Sequence, residues 1–439
     1  MTAVERRKKW IEFGREQFMK SNFVVILAIL FAASVMFPQS RRMPSPYLFV
    51  WSGDSDGKDS DFLAVIDARP TSGSYGEIVA TLPVGAKGTF PHHTEYEFPS
   101  NSLVFANAWG AGQTFILDLR NPRKPKLASQ FKDLTEYGFP HSFSRLENGN
   151  VLATFQVRKA GYEPPGALVE LDSRGNMIRT SSADVDGMDK KLLWPYSVLA
   201  IPRIDRVVTT STEMGLPKWA MPHPHGQSHE THSYTDTHHV QIWRLSDLRL
   251  LATVDLPAPS RGKSNLNPAE PRLLPDGSVY VNTFNCGLFR LTGIEGSAPK
   301  AESVWEFPGA STKEECAVPV VMGKYWIQTD PSLPGLITLD ISDPAKPVEA
   351  SRLVLDERFK KTHWIAADRS ADRVVVTGNN LSWVLIANID MATGKLTLDD
   401  KFKMKGADHP GINFDRPRWP HGETGKAFVH GALFGPARK

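Results

Sequence analysis

Cysteine is almost absent: Cys286 and Cys316 are the two in 439 residues, too few for a disulfide framework and at no zinc-site spacing. They fall at what read as opposite ends of adjacent strands, so two free thiols are expected; a single pair is the chemically reasonable alternative in an exported chain. An excess of one charge is lacking too. With 51 basic and 48 acidic residues the net charge is +3, which gives no footprint for nucleic acid. No glycine-rich phosphate loop precedes a helix and no G-x-S-x-G elbow occurs, so nucleotide binding and serine hydrolysis are set aside.

Charge is missing altogether from Ser21 to Ser40, directly after a leader holding Arg6, Arg7, Lys8, Lys9, Arg15 and Lys20. That length matches the roughly 20 residues that cross a bilayer as a helix, and the basic excess keeps the amino terminus inside despite Arg41 and Arg42. The expected organisation is a basic cytoplasmic leader over 1–20, a membrane-spanning anchor or uncleaved signal over 21–40, and a linker over 41–46. The remainder, 47–439, then lies on the periplasmic or extracellular side. Cleavage near Ala32-Ala33-Ser34 would release it as a secreted or periplasmic protein instead.

Turn residues are plentiful, with 33 Gly and 33 Pro, and they punctuate short alternating runs such as Tyr47 to Trp51, Phe62 to Asp67 and Glu77 to Pro83. A larger period organises these runs. Pro140-His141 leads through Glu147-Asn148-Gly149 to the strand Val151 to Phe155; His92-His93-Thr94 leads to Leu103 to Asn107, and Thr362-His363-Trp364 to Val374 to Gly378. Weaker copies begin at Pro195, Glu270 and Glu315-Cys316. The starts 93, 141, 195, 270, 315 and 363 are separated by 48, 54, 75, 45 and 48 residues. A repeat of that size with several strands per unit predicts an all-β, seven-bladed β-propeller, or eight blades if the closing strand counts separately. That strand, Ala427 to Phe434, has no partners behind it, so it is expected to pair with the first blade.

Because the repeat start is taken to lie just before each innermost strand, at one rim of the channel, His93, His141, Glu270, Cys316, His363 and His421 are expected to converge. Imidazole-rich sets suit copper, zinc or iron. Any one of these histidines alone is a hydrogen-bonded turn residue; several at one repeat phase argue for a shared metal or polar-ligand site. A His-rich insertion spans 214–239, with His223, His225, His229, His232, His238 and His239. It is either a metal-recruiting tract or a solvated cover, and His239 abuts a strand. Asp118, Asp172 and Asp340 read as turn caps, and Trp109, Trp194, Trp243, Trp326 and Trp364 as packing between blades.

Several stretches resemble the selenium-binding protein family, whose members include methanethiol oxidase. They are Phe62-Leu-Ala-Val-Ile-Asp, His92-His93-Thr94, Asn121-Pro-Arg-Lys-Pro-Lys-Leu, Ser211-Thr-Glu-Met-Gly-Leu-Pro, His239 before Val-Gln-Ile-Trp, and Asp340-Ile-Ser-Asp-Pro, in the family's order. The resemblance implies a seven-bladed propeller and, for the oxidase members, copper-dependent oxidation of methanethiol by oxygen to formaldehyde, hydrogen sulfide and hydrogen peroxide. It also implies metal ligands at His92, His93, His141 and His239, with His421 answering to a histidine near the carboxyl terminus. Two departures stand out. Glu95 to Asn101 replaces the cysteine pair many members carry after the His-His motif, and a fifth-blade histidine is replaced around Leu274-Pro275. The reading is an exported, membrane-anchored oxidase of small thiols, with copper (or zinc or another transition metal) at His92, His93, His141, His239, His363 and His421. Glu270 or Glu213 would accept a proton. The alternative is a non-catalytic propeller binding a metal, a small ligand or a protein partner.

Overall fold

Short runs buried on both faces, such as Phe62–Asp67 and Ala167–Leu171, need an apolar cover on each side, and with only single-turn helices among the described residues that cover is other sheets. The computed structural model describes residues 43–436 apart from 135, 221–234, 309–315, 331, 380 and 424. The expected membrane helix over 21–40 and most of the His-rich insertion lie outside the described residues. Among the described residues, no helix is long and apolar enough to cross a membrane.

Among the described residues seven sheets follow one another, each an antiparallel meander. Blades two to seven take their innermost strands from Pro91–Thr94, Tyr137–Arg145, Pro195–Ile201, Pro268–Leu273, Val320–Met322 and Thr362–Ala367. Blade one takes its innermost strand from the far end of the chain. Gly425–Phe434 pairs antiparallel with Tyr47–Asp54, from Leu48 opposite Phe434 to Asp54 opposite Ala427. The ring is therefore closed by backbone hydrogen bonds rather than left with an open edge, and the count is seven, not eight. Outer strands such as Lys126–Phe131 and Val348–Val354 face solvent. Between blades lie apolar layers with fully buried indoles at Trp51, Trp243, Trp326 and Trp364.

Two expectations need correcting. The strands that read clearly in the sequence, Val151–Arg158, Leu103–Ala108 and Arg373–Gly378, are the second strands of their blades. The histidines lie on the innermost strands, not ahead of them. Cys286 and Cys316 are not free thiols: they form a disulfide with Cα atoms 5.0 Å apart. Cys286 follows the second strand of blade five, and Cys316 enters blade six at the same rim, where its N–H donates to the Phe284 carbonyl at 3.0 Å. Second strands run antiparallel to innermost ones, so the end of one lies beside the start of the next.

Candidate metal centre

Each histidine-bearing innermost strand is irregular where the histidine sits. The register slips between Pro91 and Thr94, between Pro140 and Phe143, and between Thr362 and Trp364. The residues just ahead, Phe90, Phe139 and Lys361, have φ of 56°, 58° and 77°. A bulky side chain in the left-handed region is strained, and such strain gathers where a fold re-aims side chains. Here it breaks the strict alternation of a strand, so that the adjacent His92 and His93 lie stacked at 4.3 Å between ring centroids.

The result is a cluster of five imidazoles from four consecutive blades. His93 lies 4.4 Å from His141, His92 4.1 Å from His430, and His363 4.8 Å from His430, centroid to centroid. All five are at most 5% exposed. One ring nitrogen from each of His92, His93 and His363 falls within a common 4.8 Å. Hydrogen bonds fix which nitrogen faces inward. His141 Nδ1 donates to the Tyr196 carbonyl at 2.8 Å, and His93 Nδ1 is 3.2 Å from Ser142 Oγ. Nε2 of both rings has no hydrogen-bond partner among the described residues. Asn107 pins the backbones beneath: its Oδ1 accepts from His93 N at 2.6 Å, and its Nδ2 donates to the His141 carbonyl at 2.9 Å.

Burial, followed by repulsion from the neighbouring rings, holds His92, His93 and His430 well below the ordinary histidine pKa. Burial pushes His141 down to about 3, against the pull of the Tyr196 carbonyl. These rings are therefore neutral across the physiological range, with lone pairs available. Neutral imidazole whose other nitrogen is held by a hydrogen bond is the form that ligates transition metals, so the residues fit such an ion.

Other expected site residues stand apart from the imidazoles. His421 is held by Thr81 Oγ1 at 2.7 Å and Glu423 Oε2 at 3.0 Å, on the outer side of blade one. His239 is buried on the third strand of blade four, 6.5 Å from His238, and burial pushes it down to about 4. Glu213 accepts from Thr235 N at 2.7 Å, and Cys316 is engaged in the disulfide. Glu270 lies in the channel below the cluster, where its Oε2 accepts from Tyr96 and Ser197 hydroxyls at 2.7 Å and from Arg272 at 2.9 Å. Beyond this layer the channel opens into a cavity of about 300 Å³ lined in part by Tyr96, Arg145, Arg272, Ile365 and Arg369.

His430, Tyr96 and Arg272 were not legible as site residues. His430 had a signal: it lies within the run Ala427 to Phe434 that reads as the closing strand. Trp109 and Trp364, expected only as packing, touch the cluster edge-on, at 5.5 Å from His141 and 5.0 Å from His93.

Fold and cluster together define a seven-bladed propeller with a buried imidazole set on its channel strands. The family described as 56kDa selenium binding protein (SBP56) matches residues 39–381, and the chain belongs to it. It is 33% identical over 138 residues to a methanethiol oxidase of Hyphomicrobium, covering 28% of this chain and 31% of that one. It is 26% identical over 299 residues to selenium-binding protein 1 of Arabidopsis thaliana, covering 63% and 55%. The chain thus spans a third to just over half the length of these relatives. In fold it is similar to a hypothetical selenium-binding protein of Sulfolobus tokodaii, with a TM-score of 0.68 at 17% identity over 89% of this chain and 93% of that one. A periplasmic gluconolactonase of Pseudomonas aeruginosa gives 0.58 at 11% identity over 89% and 99%.

Proposed function

We propose that the chain is a copper-dependent oxidase of small thiols, similar in activity to methanethiol oxidase, that works outside the cytoplasm. The observation that carries the reading is the neutral imidazole cluster, in which His93 and His141 each keep Nε2 unpartnered while Nδ1 is engaged. His92, His93, His141, His363 and His430 would hold the ion. Nitrogen donors without a carboxylate among them suit copper or zinc and disfavour magnesium or calcium. Copper would supply one-electron redox chemistry and affinity for a thiolate. The chain's own residues exclude water from the cluster, fix the ring tautomers through Ser142 and the Tyr196 carbonyl, and hold a proton acceptor, Glu270, in the channel beneath. The buried Cys286–Cys316 disulfide and the charge-free segment before the propeller both support an oxidising compartment.

The test is metal analysis and oxygen consumption on protein from copper-supplemented culture. Near-stoichiometric copper with methanethiol-dependent oxygen uptake is expected. Copper without turnover would favour metal handling, and the absence of both would favour a binding scaffold.

A further inference from the structure

Beneath the imidazoles the channel holds a second constellation. The half-buried Tyr96 ring is sandwiched: on one face the Trp364 indole is stacked at 5.2 Å with 9° between planes, and on the other the Arg272 guanidinium sits 4.2 Å from the ring centre. Trp364 in turn meets His93 at 5.0 Å. An unbroken aromatic path therefore runs from the imidazole cluster to the phenol. The hydroxyl donates to Glu270 Oε2 at 2.7 Å and lies 3.4 and 3.3 Å from the Ser142 and Ser197 hydroxyls. Glu270 is fully buried, and its Oε1 has no hydrogen-bond partner among the described residues, so its acceptor capacity is not exhausted.

Aromatic stacking alone needs none of this polarity, and a tyrosine that merely fills space needs no carboxylate at 2.7 Å. A phenol that loses an electron becomes strongly acidic. With a guanidinium against its face, the cation is doubly disfavoured, so the proton must leave together with the electron. The structure gives the two different exits. Burial and the nearby Glu270 charge push the phenol's pKa up, so the resting residue keeps its proton.

We propose that Tyr96 is a redox-active residue. It passes one electron through Trp364 to a one-electron oxidant at the imidazole cluster and its phenolic proton to Glu270, leaving a neutral tyrosyl radical. The phenolic O–H bond breaks and an O–H bond forms on the Glu270 carboxylate. The tyrosine is oxidised by one electron and the oxidant, a redox metal ion in its higher state, is reduced by one. This deepens the thiol-oxidase reading and rests on it: a two-electron substrate oxidation at a site holding one one-electron carrier calls for a second carrier in contact with the first.

The test uses the full chain stripped of metal, oxidised with hexachloroiridate(IV) and freeze-quenched for electron paramagnetic resonance. A tyrosyl signal is expected, lost in Tyr96→Phe and shortened in lifetime by Glu270→Gln. Should Tyr96→Phe fail to fold, 3,5-difluorotyrosine placed at position 96 keeps the phenol and must add fluorine splitting to the signal. No radical, a signal unchanged in Tyr96→Phe, a signal without that splitting, or an unchanged lifetime in Glu270→Gln overturns the proposal. A radical at position 96 in a chain that binds copper but takes up no oxygen with methanethiol would sink the oxidase reading and keep this one. Copper-dependent turnover at the native rate in Tyr96→Phe would do the reverse.

Discussion

The ring of His430 lies 4.1 Å from that of His92, although the two are at opposite ends of the propeller sequence. The closing strand thus does two jobs: it seals the ring, and it completes the imidazole set. His430→Ala is therefore expected to lower metal occupancy as His93→Ala does, weakening affinity by at least about tenfold, the loss already seen when only an outer partner of a ligand is removed. His421→Ala, whose ring is committed to Thr81 and Glu423, should leave occupancy unchanged. Metal analysis of the three purified variants decides; equal occupancy in His430→Ala and the native chain would remove His430 from the centre.

How far the sequence leads is shown by these same residues. The blade count and the closing strand came from apolar second strands and repeated turns, because buried alternation is visible in one dimension. Innermost strands such as Pro91–Thr94 are short, polar and begin with proline, so they do not read as strands. The phase was therefore set one strand too late, which turned attention to His421 and past His430. Tyr96 and Arg272 escaped for another reason: their meaning is a stack and an ion pair with residues from other blades, and only the closed ring brings those together. The cysteines failed on strand direction, since the rim they share follows from antiparallel pairing.

Proton uptake sets an acid limit on the metal-free protein. The rings of His92, His93, His141 and His430 have pKa values below the ordinary 6.5 in the folded chain. Above pH 6.5 both folded and unfolded rings are neutral, and the full stability is present. Below it the unfolded chain binds protons that the folded one refuses, so stability falls with pH until the folded values are reached, by about 1.4 kcal/mol per pH unit for each ring. The melting temperature of metal-stripped protein should be flat from pH 8 to 7 and drop steeply toward pH 5. A flat profile to pH 5 would mean that the cluster is not buried and neutral.

The disulfide predicts a chemical and a thermal result. Cys286 and Cys316 are 30 residues apart, and closing such a loop removes about 3–4 kcal/mol of unfolded-state entropy on the chain-entropy estimate. Denatured, unreduced protein should show no free thiol, and paired Cys286→Ser and Cys316→Ser substitution should lower the melting temperature. Two reactive thiols in denaturant would contradict the bridge.

Asn107 tests whether the metal geometry is held from behind. Its amide engages His93 N, the Pro140 carbonyl and the His141 carbonyl, tying blade two to blade three under the cluster. Asn107→Leu leaves these buried groups unsatisfied at about 1–3 kcal/mol each. Asn107→Asp keeps the acceptor for His93 N but loses both donors. A graded loss of metal affinity, with Leu worse than Asp, is expected alongside the fall in melting temperature. Destabilisation without any change in affinity would assign Asn107 to the fold alone.

Gly431, on the closing strand, packs against the backbone of blade two. A Cβ there would lie 2.8 Å from both the His92 carbonyl oxygen and Thr94 N, and these are backbone atoms with no rotamer to escape into. The strand itself would have to back away, carrying His430 with it. Gly431→Ala is therefore expected to cost about 1–3 kcal/mol, the usual toll of overpacking, and to lower metal occupancy although it removes no ligand. Gly73→Ala is the matched control, since nothing lies within 4 Å of a Cβ at that position. If Gly431→Ala melts lower yet keeps full occupancy, the approach of the two strands matters for closure and not for the imidazoles. If it changes neither, the close contact between Gly431 and His92 is not a feature of the protein in solution.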